Sequence, residues 1–144
     1  MTTTLSITTA APADPATVTE YGDALPELVR ALAHITRHRE ALDYPADADR
    51  LIRNVARAAS MLPQLLDQVA RWLADEDAAG QVEMAAGSRY PSSSLAAVVA
   101  RMHLDAAQAA AGRLQEALDA AASVTCDMGG TGDGGEDGAG DGRA

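Results

Sequence analysis

Between Leu51 and Trp72 the chain returns to an apolar residue every fourth and then every third position, through Leu51, Val55, Ala58, Leu62, Leu65, Val69 and Trp72. Held over that length, the alternation matches the helical repeat and excludes the period of two of a β-strand. A parallel row, Ile52, Ala59, Leu66 and Leu73, widens the stripe into a seam. Pro63 removes one backbone hydrogen bond, yet the register continues across it. One bent helix from about Asp49 to Asp77 is therefore expected, not two. Trp72, in register with Leu65 and Val69, is expected in the core, with an interface anchor as its alternative role.

Two further helices are expected around this one. The first runs from Asp23, a good N-cap, to about Leu42 before "DYP", with Pro26 tolerated in its first turn and an apolar stripe of Leu25, Leu28, Val29, Leu32, Ile35 and Leu42. The last opens at Ser93 or Ser94 and continues to about Val124. It carries two apolar faces, one of Ala97, Ala100, Leu104, Ala107, Ala111, Leu114, Leu118 and Ala121, the other of Leu95, Val98, Val99, Met102, Ala106 and Ala109. Two faces imply two neighbours. The long connector "EDAAGQVEMAAGSRYP" has room for a short helical turn around Val82 to Ala86, and no strand pattern occurs anywhere. The expected fold is all-α: an antiparallel bundle of three long helices, or four with the short connector helix.

This domain, residues 23–124, is flanked by a Thr/Ala/Pro-rich flexible arm over 1–22, with room for a short turn of helix at "PATVTEY", and by "CDMGGTGDGGEDGAGDGRA", read as a disordered acidic Gly-rich tail over 125–144. With 144 residues the chain has room for one core. Aromatic residues make up only 3%, and there is no Phe, so alanine must supply much of the buried contact. Such a core is thin and calls for close helix approach or a partner subunit.

The formal net charge of −10 disfavours direct nucleic-acid binding, which needs clustered cations. All eleven cations are arginines. Without lysine there is no P-loop lysine, no Schiff-base lysine and no kinase strand lysine. One cysteine, Cys126, gives no internal disulfide, the N-terminal residues do not read as a signal peptide, and no run is long enough to span a membrane. A cytoplasmic protein is expected, without membrane association.

The candidate sites are few. His34 and His38, four apart in "ALAHITRHRE", have the spacing of a two-ligand metal face, with His103 as the only other histidine. On a helical wheel the first two face solvent, opposite the apolar stripe, and together with Arg37 and Arg39 they suit the negative end of a helix macrodipole better than a metal. Arg50, Arg53 and Arg57 form a one-sided row in which Asp49 stands four before Arg53; Asp67 likewise stands four before Arg71. That acid-first spacing favours a self-paired, solvated face over a phosphate site. Asp75, Glu76 and Asp77 would oppose the macrodipole if the helix reached them, so the helix is expected to end by Leu73 or Ala74; otherwise the three acids form a docking patch for a basic partner. The tail fails the EF-hand pattern, because a loop starting at Asp133 has Gly135 at a ligand position and Ala144 where a bidentate Glu is required. Cys126 has no neighbouring base to activate it.

No catalytic constellation emerges, and no cofactor is expected. The chain reads as a non-enzymatic helical module that self-associates or binds a protein partner through apolar helix faces, with Trp72, Asp75, Glu76, Asp77, Ala100, Ala107 and Ala111 as partner-binding candidates. The alternatives are a metal- or small-ligand-binding bundle built on the histidines, and an acidic regulator that occupies a basic surface on another protein.

Overall fold

The computed structural model describes residues 7–8, 10 and 13–128. Every regular element among them is helical: α1 (Pro15–Ile35), a single 3-10 turn (Arg39–Ala41), α2 (Pro45–Ala78) and α3 (Ser93–Thr125). The acidic tail beyond Met128 lies outside the described residues. The chain divides into two units between Asp43 and Tyr44.

In the first unit, α1 starts at Pro15, not at Asp23, so part of the segment read as an arm is helical. The cause is local. Asp14 accepts a hydrogen bond from the Thr17 N–H at 2.9 Å, and Pro15 supplies a first-turn residue whose missing N–H is no loss. The earlier start places Pro26 inside the helix, and it extends the apolar stripe backwards, so that Val18, Tyr21, Leu25, Leu28, Leu32 and Ile35 keep the four-three alternation. The helix also ends earlier than Leu42. Thr36 caps it, its hydroxyl donating to the Leu32 carbonyl at 2.9 Å, and the chain then turns at His38 into the 3-10 element. No residue of α1 is buried.

The second unit is a helical hairpin. At the start of α2 the Tyr44 N–H donates to the Asp47 carboxylate at 3.0 Å and Pro45 occupies the first turn. The helix passes Pro63 unbroken, as the continuous register requires. It runs to Ala78, one residue past the Asp77 bound set by its periodicity and beyond the Leu73 or Ala74 favoured by the helix dipole, so Asp75, Glu76 and Asp77 belong to its last turn. Gly80, at φ +70°, provides the left-handed residue that stops it. The connector holds no helical turn at Val82 to Ala86. Ser92, one residue ahead of the expected caps, accepts from the Leu95 N–H at 3.2 Å and starts α3.

α2 packs against α3, and the contacts show that they run in opposite directions. At one end Thr125 Oγ1 donates to Asp49 at 2.8 Å and the Arg53 guanidinium reaches the Ala122 carbonyl at 3.4 Å. At the other, Ala74 and Asp77 share a shallow depression with Ser94, Ala97, Val98, Arg101 and Met102. The most buried residues are all alanines: Ala56, Ala59 and Ala70 on α2, Ala111 and Ala122 on α3. Small side chains let the two backbones approach closely, so the contact gains dispersion where it lacks side-chain area.

These alanines identify the seam, and it is not the stripe on which the sequence reading centred. On α2 the seam runs through Ile52, Ala59, Leu66 and Leu73, the row expected only to widen the stripe, together with Ala56, Pro63 and Ala70. The main row is left outward: Val55, Leu65, Val69 and Trp72 are all exposed, and Trp72, expected in the core, is 59% accessible. Bulk is the reason. Alanine at positions 56, 59 and 70 permits a close approach that a row of Leu, Val and Trp does not.

On α3 the seam keeps the expected Ala97, Ala100, Leu104, Ala111 and Leu118, with Gln108, Gln115 and Ala122 in place of Ala107, Leu114 and Ala121. Two consecutive steps of four, 100 to 104 to 108, keep it under a straight partner, as in a coiled-coil stutter.

Candidate functional site

Residues that follow a seam position and residues that precede one point to opposite sides of the hairpin, because each step along a helix is 100° and the two helices run in opposite directions. On α2 the following residues include Arg53, Arg57, Asp67 and Arg71; on α3 they include Arg101, Asp105, Glu116 and Asp119. This is an ionic face. Arg53 pairs with Asp49 at 2.8 Å and Arg71 with Asp67, the two acid-first pairs read from the sequence. Arg101 pairs with Asp105 at 2.8 Å and reaches Asp67 across the hairpin at 3.4 Å. Hydrogen bonds from Arg53 and then Thr125 hold the Asp49 carboxyl below its ordinary range, and the same pairing raises the Arg53 guanidinium. With Arg53 already engaged, the row Arg50, Arg53 and Arg57 is not a preformed phosphate cradle.

The opposite face is apolar. The preceding residues on α2 are Leu51, Val55, Ala58, Leu62, Leu65, Val69 and Trp72, ending at Glu76; on α3 they are Ala96, Val99, His103, Ala107, Ala110, Leu114, Ala117, Ala121 and Val124. Between Leu51 and Trp72 no charged residue interrupts the α2 row. That row spans ~30 Å at ~1.5 Å per residue. With two helix axes ~8–10 Å apart, the face is ~20 Å wide and covers about 600 Å². An area of about 600 Å² lies at the upper end of the contiguous apolar patches carried by monomeric proteins.

The partner-binding candidates separate on this frame. Trp72 and Ala107 lie on the exposed apolar face. Ala111 is buried in the α2–α3 seam and Ala100 is half-buried there, so the hairpin itself occupies them. Asp75 is exposed while Glu76 and Asp77 are half-buried, and all three cluster at the C-terminus of α2, where carboxylates oppose the helix dipole. The sequence signal that could have separated face from seam was residue size: the row with more alanine goes inside.

The histidines do not build a site. His34 lies in the last turn of α1, but His38 falls beyond it, on the turn into the 3-10 element, so the two do not share a helix face. Their rings meet edge-on at 5.8 Å between centroids, and both side chains are exposed. His103 is exposed on α3. Among the described residues no three His, Cys, Asp or Glu side chains stand close enough to hold a metal ion. Cys126 caps α3, exposed, its thiol donating to the Ser123 carbonyl at 3.1 Å. No described helix is long and apolar enough to cross a membrane.

No protein-family model matches the chain, and neither a curated protein nor a solved structure is similar to it.

Proposed function

We propose that the chain is a non-enzymatic helical interaction module that works through the apolar face of the α2–α3 hairpin, either by self-association or by holding a protein partner. The observation that carries this reading is the uncharged row from Leu51 to Trp72, left outward by a hairpin whose most buried residues are five alanines. A pair of helices with so little buried area is marginal alone, and covering the face supplies what the seam lacks. The antiparallel bundle expected from the sequence belongs to the same proposal: further apolar helix faces laid on this one complete it. We also keep as proposals a cytoplasmic setting and the absence of direct nucleic-acid binding.

The test compares the full chain with a Leu65→Asp/Val69→Asp variant by sedimentation velocity and by binding of an anilinonaphthalene sulfonate dye to exposed apolar surface. The expected result is either concentration-dependent association or dye binding in the unsubstituted chain, lost in the variant while its helical circular dichroism is retained. A chain that neither associates nor binds the dye contradicts the reading.

A further inference from the structure

We infer that the occupant of the apolar face is a second copy of this chain, packed face to face about a two-fold axis parallel to the helices. The inference rests on the interaction reading above and names its partner.

Two observations bracket the register of the hairpin: Thr125 bonds Asp49 at one end, and Ala74 shares a depression with Ala97 and Val98 at the other. Counting inward at equal rise, the first places Leu62 opposite Gly112 and the second opposite Ala109 or Ala110, so Ala110 is the residue of the α3 apolar row nearest its level. On the apolar face Leu65 is then level with Ala107, Val55 with Ala117, and Leu51 with Ala121. In these layers α2 offers a large residue and α3 an alanine, whereas nearer the connector Val69 is level with His103 and Trp72 with Val99, so both rows are large there. Between Leu51 and Leu65 the exception obeys the same rule reversed: Ala58, the only small residue in the α2 row, is level with Leu114, the only leucine in the α3 row.

A two-fold axis along the helices sets α2 of one copy over α3 of the other at the same level. Large then meets small in the layers from Leu51 to Leu65, and Ala58 of each copy meets Leu114 of the other. Each of these layers of the resulting four-helix core holds two large and two small residues, so the core thickness is even from Leu51 to Leu65. The match is self-complementary, as a two-fold interface requires. The face of about 600 Å² approaches the ~800 Å² that each partner buries in a stable complex. Charged side chains on the opposite, ionic face stay in water.

The test exchanges the two sizes in the full chain. Ala58→Leu puts four leucines into one layer, and Leu114→Ala leaves four alanines there. Each change alone is expected to weaken dimerisation about a hundredfold, and Ala58→Leu/Leu114→Ala together to restore it to within about tenfold. Dimer mass is read by sedimentation equilibrium, with helical circular dichroism as the check on folding. To place the faces independently of stability, Cys126→Ser chains carrying Leu62→Cys are mixed with Cys126→Ser chains carrying Ala110→Cys under oxidation. A mixed disulfide supports the arrangement, whereas crosslinking of Leu62→Cys only with itself overturns it in favour of α2 against α2. A monomer that still binds the dye on this face overturns the second copy but leaves the interaction reading intact, with another protein as occupant. A monomer that binds no dye overturns both.

Discussion

The two sides of the α2–α3 hairpin are made by the same helices, one residue apart, and they differ in almost every physical respect. On one side Arg53, Asp67, Arg71, Arg101 and Asp105 pair within and across the helices and meet water. On the other, Val55, Leu65, Val69 and Trp72 meet water with no polar compensation. Exposed ion pairs contribute little to stability, about 0–1 kcal/mol each, and mainly keep a surface soluble. An exposed row of Leu, Val and Trp has the opposite consequence: it is a standing free-energy incentive to be covered. On the proposed reading the ionic side faces solvent and the apolar side faces another helix.

The largest expected effect breaks that contrast outright. Placing charge on the apolar side with Leu65→Asp/Val69→Asp should weaken association by about a thousandfold or more, since each dimer would bury four unpaired carboxylates. Neutralising the other side with Arg57→Gln/Arg101→Gln should change it by no more than about twofold. Sedimentation velocity at matched concentrations checks both. Equal effects from the two faces would remove the distinction between them.

Next in size is the seam that separates the faces. Ala70 is 2% exposed, so Ala70→Leu has no space to enter and should cost about 1–3 kcal/mol, read as a lower urea midpoint at unchanged slope. Loss of this order at Ala70, with none for Ala107→Leu in the monomeric Leu65→Asp/Val69→Asp background, would sharpen the assignment of seam and face. Gln108 offers the reverse change. Its side-chain nitrogen is buried without a hydrogen-bond partner, so Gln108→Leu should raise stability by about 1 kcal/mol in the same assay.

The smallest effect concerns pH. Asp49 is held below its ordinary range of 3.8 by hydrogen bonds from Arg53 and Thr125. Its contribution is fully present above that value and is lost as pH falls through the lower, folded-state value. The hairpin end joining Asp49 to Thr125 should therefore loosen only in acid. Asp49→Asn should flatten the pH dependence of stability below pH ~4 and leave the range from 5 to 8 unshifted in shape.

Much of the fold was legible because periodicity is a property of the chain. The all-helical class, the continuity of α2 past Pro63 and the pairs Asp49–Arg53 and Asp67–Arg71 follow from spacing alone. α1 starts ahead of Asp23 because Asp14 followed by Pro15, a capping aspartate and a proline at the first helical position, is the stronger start signal. The side of α2 that turns inward also departs from the expectation. Hydrophobicity ranks Leu51, Val55 and Leu65 above Ala56, Ala59 and Ala70, but close packing of two helices selects the smaller side chains. The shift of the α3 seam at Leu104 had no local mark, since it reflects the path of the partner helix.

The central claim is that the apolar face is covered by a second copy, and the most direct measurement is sedimentation equilibrium of the untagged full chain from submicromolar to high micromolar concentration. The account predicts a reversible rise from the 14.8 kDa of one chain to twice that mass and no further, because a two-fold interface closes. A mass that stays at 14.8 kDa throughout, or one that climbs past the dimer without limit, would contradict it.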